Sequence, residues 1–100
     1  MIVMDKLAQF PQIASRIIKE QELIIGPLAW IEAQKVSDIK IIDQKQGQID
    51  LGGTDPKQVI DRLVARYDRL FGRASREVSK EAAAPLLVSL APDDIPSSLR

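Results

Sequence analysis

Arginine is the residue type whose number and spacing in this chain most directly suggest chemistry. Six basic residues follow one another at intervals of 4, 3, 4, 3 and 4: Arg62, Arg66, Arg69, Arg73, Arg76 and Lys80. On an α-helix, at about 100° per residue, these charges lie within roughly 40° of one line. Such a stripe can bind nucleic-acid phosphates, lipid head groups or an acidic protein, and planar guanidinium groups suit carboxylates and phosphates.

The same stripe has a second interpretation, in which it is a solvated helix face paired within the chain. Four carboxylates interleave with it, some within i,i+4 reach: Asp61, Asp68, Glu77 and Glu81. No aromatic residue alternates with the arginines, the net charge is zero and the isoelectric point is near 6.2, unlike a dedicated nucleic-acid-binding domain. The sequence favours solvation or intramolecular pairing, then a protein partner, then nucleic acid or lipid.

Trp30 is the other residue that could take part in binding. On a helix predicted over 27–37 it is flanked by the small residues Ala29, Ala33 and Ser37, which leave room for another helix to approach. A tryptophan among small residues suits an interface anchor, but in a chain with four aromatic residues it is more often a core filler. We therefore favour the core and keep Trp30, with the five arginines, in the candidate partner-binding set.

The chain contains few of the side chains that enzymes commonly use for catalysis. Histidine and cysteine are absent, which removes the usual general base, the usual zinc ligands and the thiol nucleophile. The serines lack a nucleophile-elbow context, Asp43, Asp50 and Asp55 lack calcium-loop spacing, and Gly52-Gly53-Thr54 lacks the ending of a phosphate-binding loop. The sequence predicts no enzyme, no catalytic residue, no metal site and no cofactor.

Apolar periodicity predicts the elements of the first half. We expect a helical lead-in over 2–9 that ends at Phe10-Pro11, and an amphipathic helix over 11–25 with Ile13, Ile17 and Ile24 on its inner side. Gly26-Pro27 then breaks the chain before the helix over 27–37. That second helix is expected to turn three apolar residues inward: Leu28, Ile31 and Val36.

The second half begins with a change of period. Alternating polar and apolar residues around a glycine-containing turn predict a β-hairpin near 39–51, although Val36, Ile39 and Ile42 could instead extend the preceding helix. Thr54 or Asp55 can cap the next helix, over 56–71. Its apolar face is formed by seven residues: Val59, Ile60, Leu63, Val64, Tyr67, Leu70 and Phe71.

The last elements are a helix over 73–84, which Pro85 ends or kinks, and a tail over 91–100. Its two prolines and two serines predict an irregular, mobile segment outside a compact domain over 1–90. The fold class is therefore mainly α (α+β): a small domain of four to five helices with a central hairpin.

Two segments of the chain resemble each other at an offset of 46 residues. Residues 22–29 and 68–75 both begin with an acidic residue and place two apolar residues before a glycine. Chance is a fair alternative, but a real repeat predicts two similar helical corners related by an approximate twofold axis. The chain would then turn at Gly72 as it does at Gly26, and the arginine stripe would be split between two helices. Only a continuous helix over 56–84 would keep it whole.

The first corner, Leu23-Ile24-Ile25-Gly26-Pro27-Leu28-Ala29, resembles short helical Gly-Pro-x-Ala modules appended to bacterial signalling proteins. The second corner, which leads to Glu81-Ala82-Ala83, resembles the later part of such a module, with Arg73 where proline is expected. The resemblance covers about a third of the chain. It implies regulatory or adaptor work rather than catalysis and transfers no catalytic residue.

These observations lead to a functional expectation. We expect a non-enzymatic protein–protein interaction or regulatory module of a bacterial cytoplasm; the alternative is a weak anion- or nucleic-acid-binding protein that uses its arginine-rich helical surface. The cysteine-free sequence, without a signal peptide or an apolar run long enough to span a membrane, favours the cytoplasm. Because 45% of residues are apolar and the interior of a 100-residue domain is small, we also expect a homodimer.

Overall fold

The fold is mainly helical with one antiparallel hairpin, as predicted. The structure, a computed structural model, describes residues 6–53 and 55–100. Its elements are α1 (Lys6–Ile25), α2 (Leu28–Gln34), β1 (Ile39–Asp43), β2 (Gln48–Leu51), α3 (Pro56–Phe71) and α4 (Arg73–Leu87), followed by single 3-10 turns over Pro92–Asp94 and Ser97–Leu99. Residues 2–5 of the predicted lead-in and the predicted cap Thr54 lie outside the described residues. None of the helices in the described ranges is long and apolar enough to cross a membrane.

The predicted break at Pro11 is wrong, because α1 runs through it as one helix. Proline lacks an N–H and gives up one helical hydrogen bond. Continuing the helix places Phe10 on the same buried face as Ile13 and Ile17, and the apolar surface buried there offsets that loss. Ile24 departs from the predicted inner side and is 62% exposed.

The predicted corner at Gly72 is confirmed. Gly26 (φ 69°) separates α1 from α2, and Gly72 (φ 89°, ψ −176°) separates α3 from α4. Equivalent hydrogen bonds close both turns. The Gly26 N–H donates to the Glu22 carbonyl at 2.9 Å, and the Gly72 N–H donates to the Asp68 carbonyl at 2.8 Å. The 46-residue similarity therefore has a counterpart in local backbone structure, and the six-charge stripe is divided.

Replacing Gly72 by alanine is expected to lower the free energy of unfolding by about 1–3 kcal/mol, because its φ and ψ lie in a region that essentially only glycine adopts. An added Cβ would meet no described atom within 4 Å, so the loss comes from the backbone conformation and not from a clash. Gly52→Ala is the matched control, because Gly52 has no positive φ and its added Cβ lies 3.6 Å from Asp38, an ordinary contact. Thermal unfolding compares the two variants, and equal melting temperatures would contradict the expectation.

The second helix is shorter than predicted and turns a different face inward. It ends at Gln34 rather than 37, since Asp38 adopts a left-handed conformation (φ 71°) and its carbonyl accepts from the Gly52 N–H at 2.7 Å. Leu28 and Ile31 are exposed, contrary to expectation, and only Val36 of the predicted inner residues is buried. The buried face consists mainly of the Trp30 indole and the two small residues beside it, Ala29 and Ala33.

The hairpin is confirmed, and the alternative extension of α2 is wrong. β1 pairs antiparallel with β2, with Ile39 opposite Leu51 and Ile41 opposite Ile49. Ile39 and Ile49 are buried, and β2 packs against α1. The hairpin therefore covers one side of the α1 helix.

The third helix matches its predicted bounds, and the Asp55 carboxylate caps it by accepting from the N–H groups of Lys57 and Gln58. Five of its seven apolar residues are buried, but Leu70 is 47% exposed and Phe71 half-buried, since both lie where α3 ends at the corner. The next helix, α4, passes Pro85 and ends at Leu87, so the predicted end at 84 is wrong. A proline so near the C-terminus affects only the last turn.

The C-terminal segment belongs to the domain, which corrects the predicted limit at residue 90. Pro96 and Leu99 are buried, and the turn over Ser97–Leu99 packs on α3 and α4. The Asp61 carboxylate accepts hydrogen bonds from the Ser97 hydroxyl and from the N–H and hydroxyl of Ser98. Asp61 therefore fixes the tail and does not pair with the arginine stripe.

Candidate functional site

The five arginines lie on two helices, and three of them are paired within the chain. Arg62 reaches Asp38 at 3.1 Å, Arg66 reaches Glu32 at 2.8 Å, and Arg76 on α4 reaches back across the corner to Asp68 at 2.9 Å. Within residues 6–53 and 55–100, neither Arg69 nor Arg73 forms an ion pair. Intramolecular pairing, which the sequence favoured together with solvation, accounts for three of the six charges of the stripe.

The α3 arginines converge on a small cleft with Lys35, a residue that the sequence did not single out. The cleft has a volume of ≈ 280 Å³ and lies between α3 and the turn that follows α2. Buried Val36 provides an apolar side, and the walls carry four cations: Lys35, Arg62, Arg66 and Arg69. We call these four side chains and their cleft the basic notch.

Glu32 holds one wall of the basic notch in place. Its carboxylate is mostly buried and accepts hydrogen bonds from Nε of Arg66 at 2.9 Å and from Nζ of Lys35 at 3.2 Å. Nη2 of Arg66 lies 2.8 Å from the same carboxylate and completes the ion pair. The hydrogen bond from Arg66, followed by that from Lys35, lowers the pKa of the Glu32 carboxyl below its ordinary value of 4.5. The group is thus ionised at neutral pH, and both cations are held beside the cleft.

Trp30 lies in the core and offers no surface to a partner. Only 1% of the residue is exposed, and its Nε1–H donates to Oε2 of Glu22 at 2.8 Å. Tyr67 packs at the same end of the domain, and its hydroxyl donates to the Ala29 carbonyl at 2.6 Å. Burial raises the pKa of that phenol, and the Glu32 charge raises it further. The inclusion of Trp30 in the partner-binding set is therefore corrected, because its side chain is almost fully buried within the same chain.

An apolar groove between α1 and α4 is the feature that sequence reasoning missed. It has a volume of ≈ 370 Å³, and we call it the α1–α4 groove. Its apolar lining is Leu23, Ile24, Val78 and Ala82, and its charged lining is Arg16, Glu20 and Glu81. Leu23 is 79% exposed and Ile24 62% exposed. The signal was the run Leu23-Ile24-Ile25, which is wider than the single buried stripe of an amphipathic helix.

A further cleft of ≈ 630 Å³ lies between α1 and the hairpin turn and is lined mainly by polar residues. There the Ser15 hydroxyl donates to the Gly47 carbonyl at 2.7 Å, which ties the turn to α1. No group of three or more histidine, cysteine, aspartate or glutamate side chains in the described part of the chain could hold a metal ion.

Comparison with protein-family models, with curated proteins and with solved structures finds no match to this chain.

Proposed function

We propose that this chain is a non-enzymatic protein–protein interaction module and that the α1–α4 groove binds a second copy of the chain. The observation that carries the proposal is the exposure of Leu23 and Ile24 beside Val78 on an adjacent helix. Burying a large aliphatic side chain stabilises an assembly by about 1.5–3 kcal/mol. Two such neighbours in one groove therefore support a stable apolar contact with a second copy.

The charges around the groove favour a second copy over an acidic or basic partner. Arg16 and Glu20 lie on α1, and Glu81 lies on α4. In a twofold interface the same surface meets itself, so Arg16 of one copy can face Glu81 of the other. A lining of both signs is thus self-complementary, whereas a groove built for a strongly charged partner would carry one sign.

The two helices that form the groove are also long enough for such an interface. Each partner of a stable complex contributes about 800 Å², roughly an eighth of the 6076 Å² of accessible surface. A 20-residue helix is about 30 Å long. Pairing α1 and α4 with their copies would give a four-helix arrangement, a common way to bury apolar helix faces.

Sedimentation equilibrium tests the proposal. We expect the wild-type protein to be a dimer and the Leu23→Lys/Ile24→Lys variant to be a monomer, because two charges would have to be desolvated in the interface. Both side chains are exposed in a single copy, so the melting temperature of the variant at low protein concentration should be nearly unchanged.

Val88→Lys is the matched control, since Val88 is 85% exposed and lies outside the groove. This variant should remain dimeric. A monomeric wild-type protein, or a double variant that still forms dimers, would contradict the proposal.

The regulatory role, the resemblance to signalling modules and the bacterial cytoplasm stay predictions from the sequence. The alternative function, weak anion or nucleic-acid binding by the arginine-rich surface, also stays a prediction.

A further inference from the structure

We infer that the basic notch binds one phosphate-type oxyanion, a function beyond self-association through the α1–α4 groove. The notch combines a defined cleft with four converging cations. It occupies the α2–α3 side of the domain, whereas the groove lies between α1 and α4. The two sites can therefore be tested separately.

The notch is organised before any ligand binds. Arg62, Arg66 and Arg69 follow at i, i+4 and i+7 on α3, so they lie on one side of the helix. Asp38 holds the Arg62 guanidinium at 3.1 Å, and Glu32 holds Arg66 through two nitrogens. A guanidinium has five donors, so each keeps free N–H groups after these contacts. Because Arg62 and Arg66 are already held, a ligand has fewer side chains to order, and less binding free energy is lost to that ordering.

The charge of the notch favours a doubly charged anion. Four cations face two carboxylates, Asp38 and Glu32, which leaves a local charge of +2. Arg69 has no carboxylate partner in the part of the chain that the structure describes. A phosphate group carries about −1.5 to −2 charges at pH 7 and three acceptor oxygens, so one phosphate would balance the notch. A single carboxylate would leave a net positive charge.

The layout favours one phosphate group over a nucleic-acid backbone. The chain turns at Gly72, which places Arg73 and Arg76 on another helix, and Arg76 is already bound to Asp68. The cations thus converge on a cleft of ≈ 280 Å³ and do not follow a continuous track. The ligand chemistry is a phosphate group, free or carried by a small molecule.

Titrations followed by amide and arginine Nε resonances test this inference at constant ionic strength. Inorganic phosphate and pyrophosphate are the probes, and acetate is the carboxylate control. We expect saturable shifts at Arg62, Arg66, Arg69 and residues 35–37 with the phosphates, and only weak, unsaturated shifts with acetate. Shifts of equal size with acetate, or shifts spread evenly over all basic residues, would overturn the inference.

Arg69→Gln and Arg73→Gln form a matched pair, since both arginines are exposed and neither has an ion pair in the described ranges. Arg69→Gln should weaken phosphate binding at least about fivefold, because it removes the cation without a counter-charge. Arg73→Gln should leave the affinity within about twofold, since Arg73 is outside the notch. Equal losses in the two variants would show diffuse charge attraction and overturn the inference.

Further titrations separate the sources of the phosphate. If O-phosphoserine binds more tightly than inorganic phosphate, the ligand is a phosphate group attached to a small molecule. If inorganic phosphate binds more tightly, the ligand is the free ion. Either result supports phosphate binding in the basic notch. A single-stranded or duplex oligonucleotide that binds with a steep salt dependence, and that Arg73→Gln weakens as much as Arg69→Gln does, would identify a phosphate track and overturn the inference. The Leu23→Lys/Ile24→Lys variant should bind phosphate as the wild type does.

Discussion

Replacement of Trp30 by alanine is expected to lower the free energy of unfolding by about 3–5 kcal/mol. The indole is almost fully buried and is the largest side chain of the core. It lies on α2, a helix of seven residues, which is too short to be stable without tertiary contacts. A domain of this size has about 5–15 kcal/mol of stability in total, so the variant should be partly unfolded at moderate temperature.

Two further variants test how much of this loss of stability comes from the buried ring of Trp30 and how much from its hydrogen bond. Trp30→Phe keeps most of the buried ring but removes the Nε1–H donor to Glu22, and should cost about 1–2 kcal/mol. Ile31→Ala is the matched control on the same helix, because Ile31 is half exposed; it should cost less than about 1 kcal/mol. Urea unfolding followed by far-ultraviolet circular dichroism is the measurement, since Trp30 is the single tryptophan and its fluorescence is lost with it. A Trp30→Ala loss no greater than that of Ile31→Ala would contradict its place in the core.

The two corners show what the sequence could predict. Glycine readily adopts a positive φ, and a proline after it disfavours helical geometry at the glycine, so Gly26-Pro27 predicts the end of a helix. That local rule predicted the break at Gly26 and, through the 46-residue similarity, the break at Gly72. It also favoured a division of the arginine stripe between two helices, which the structure confirms.

The face of α2 shows where periodicity gives the wrong answer. Its first four residues, Leu-Ala-Trp-Ile, are all apolar, so this seven-residue helix has two overlapping apolar faces. The sequence pattern alone favours burial of the face with the larger aliphatic side chains, Leu28 and Ile31. The structure buries the other face, which contacts both α1 and α3. The Trp30 Nε1–H donates to Glu22 of α1, and the Tyr67 hydroxyl of α3 donates to the backbone carbonyl of α2 at Ala29. Such close approach requires the small side chains there. The exposed aliphatic residues could be assigned only after the helices had been placed.

The candidate site depended on contacts far apart in the sequence. The expected partners of the arginines were acids one helical turn away, but Arg62 and Arg66 bind carboxylates 24 and 34 residues distant. Those pairs depend on how α2 and β1 lie against α3, which no local pattern encodes. For the same reason Lys35 joins the notch unforeseen, and Leu23 and Ile24 form a groove only with Val78 of α4.

Gln21→Leu is expected to lower the free energy of unfolding by about 2–3 kcal/mol, although leucine is apolar and similar in size. Gln21 is 1% exposed and lies between α1 and the first turns of α4. Its Nε2 donates to the Ser75 carbonyl at 2.8 Å and to the hydroxyls of Ser75 and Ser79 at 3.1 Å each. Leucine would leave these buried acceptors without that donor, a larger loss than the small gain in apolar contact.

The loss should stay below the sum of three hydrogen bonds, because each serine hydroxyl can turn to a carbonyl of its own helix. Gln12→Leu is the matched control: it makes the same substitution on the exposed side of α1 and should change the stability by less than about 0.5 kcal/mol. Urea unfolding compares the two variants, and equal midpoints would show that the Gln21 amide does not join α1 to α4.

The Gln21→Glu variant adds a second measurement, the dependence of stability on pH. A buried carboxylate that faces the Ser75 carbonyl is destabilising when charged, whereas its protonated form can donate to that oxygen, so its stability should rise as the pH falls. A stability that does not change with pH relative to the wild type would contradict the contact between Gln21 and α4.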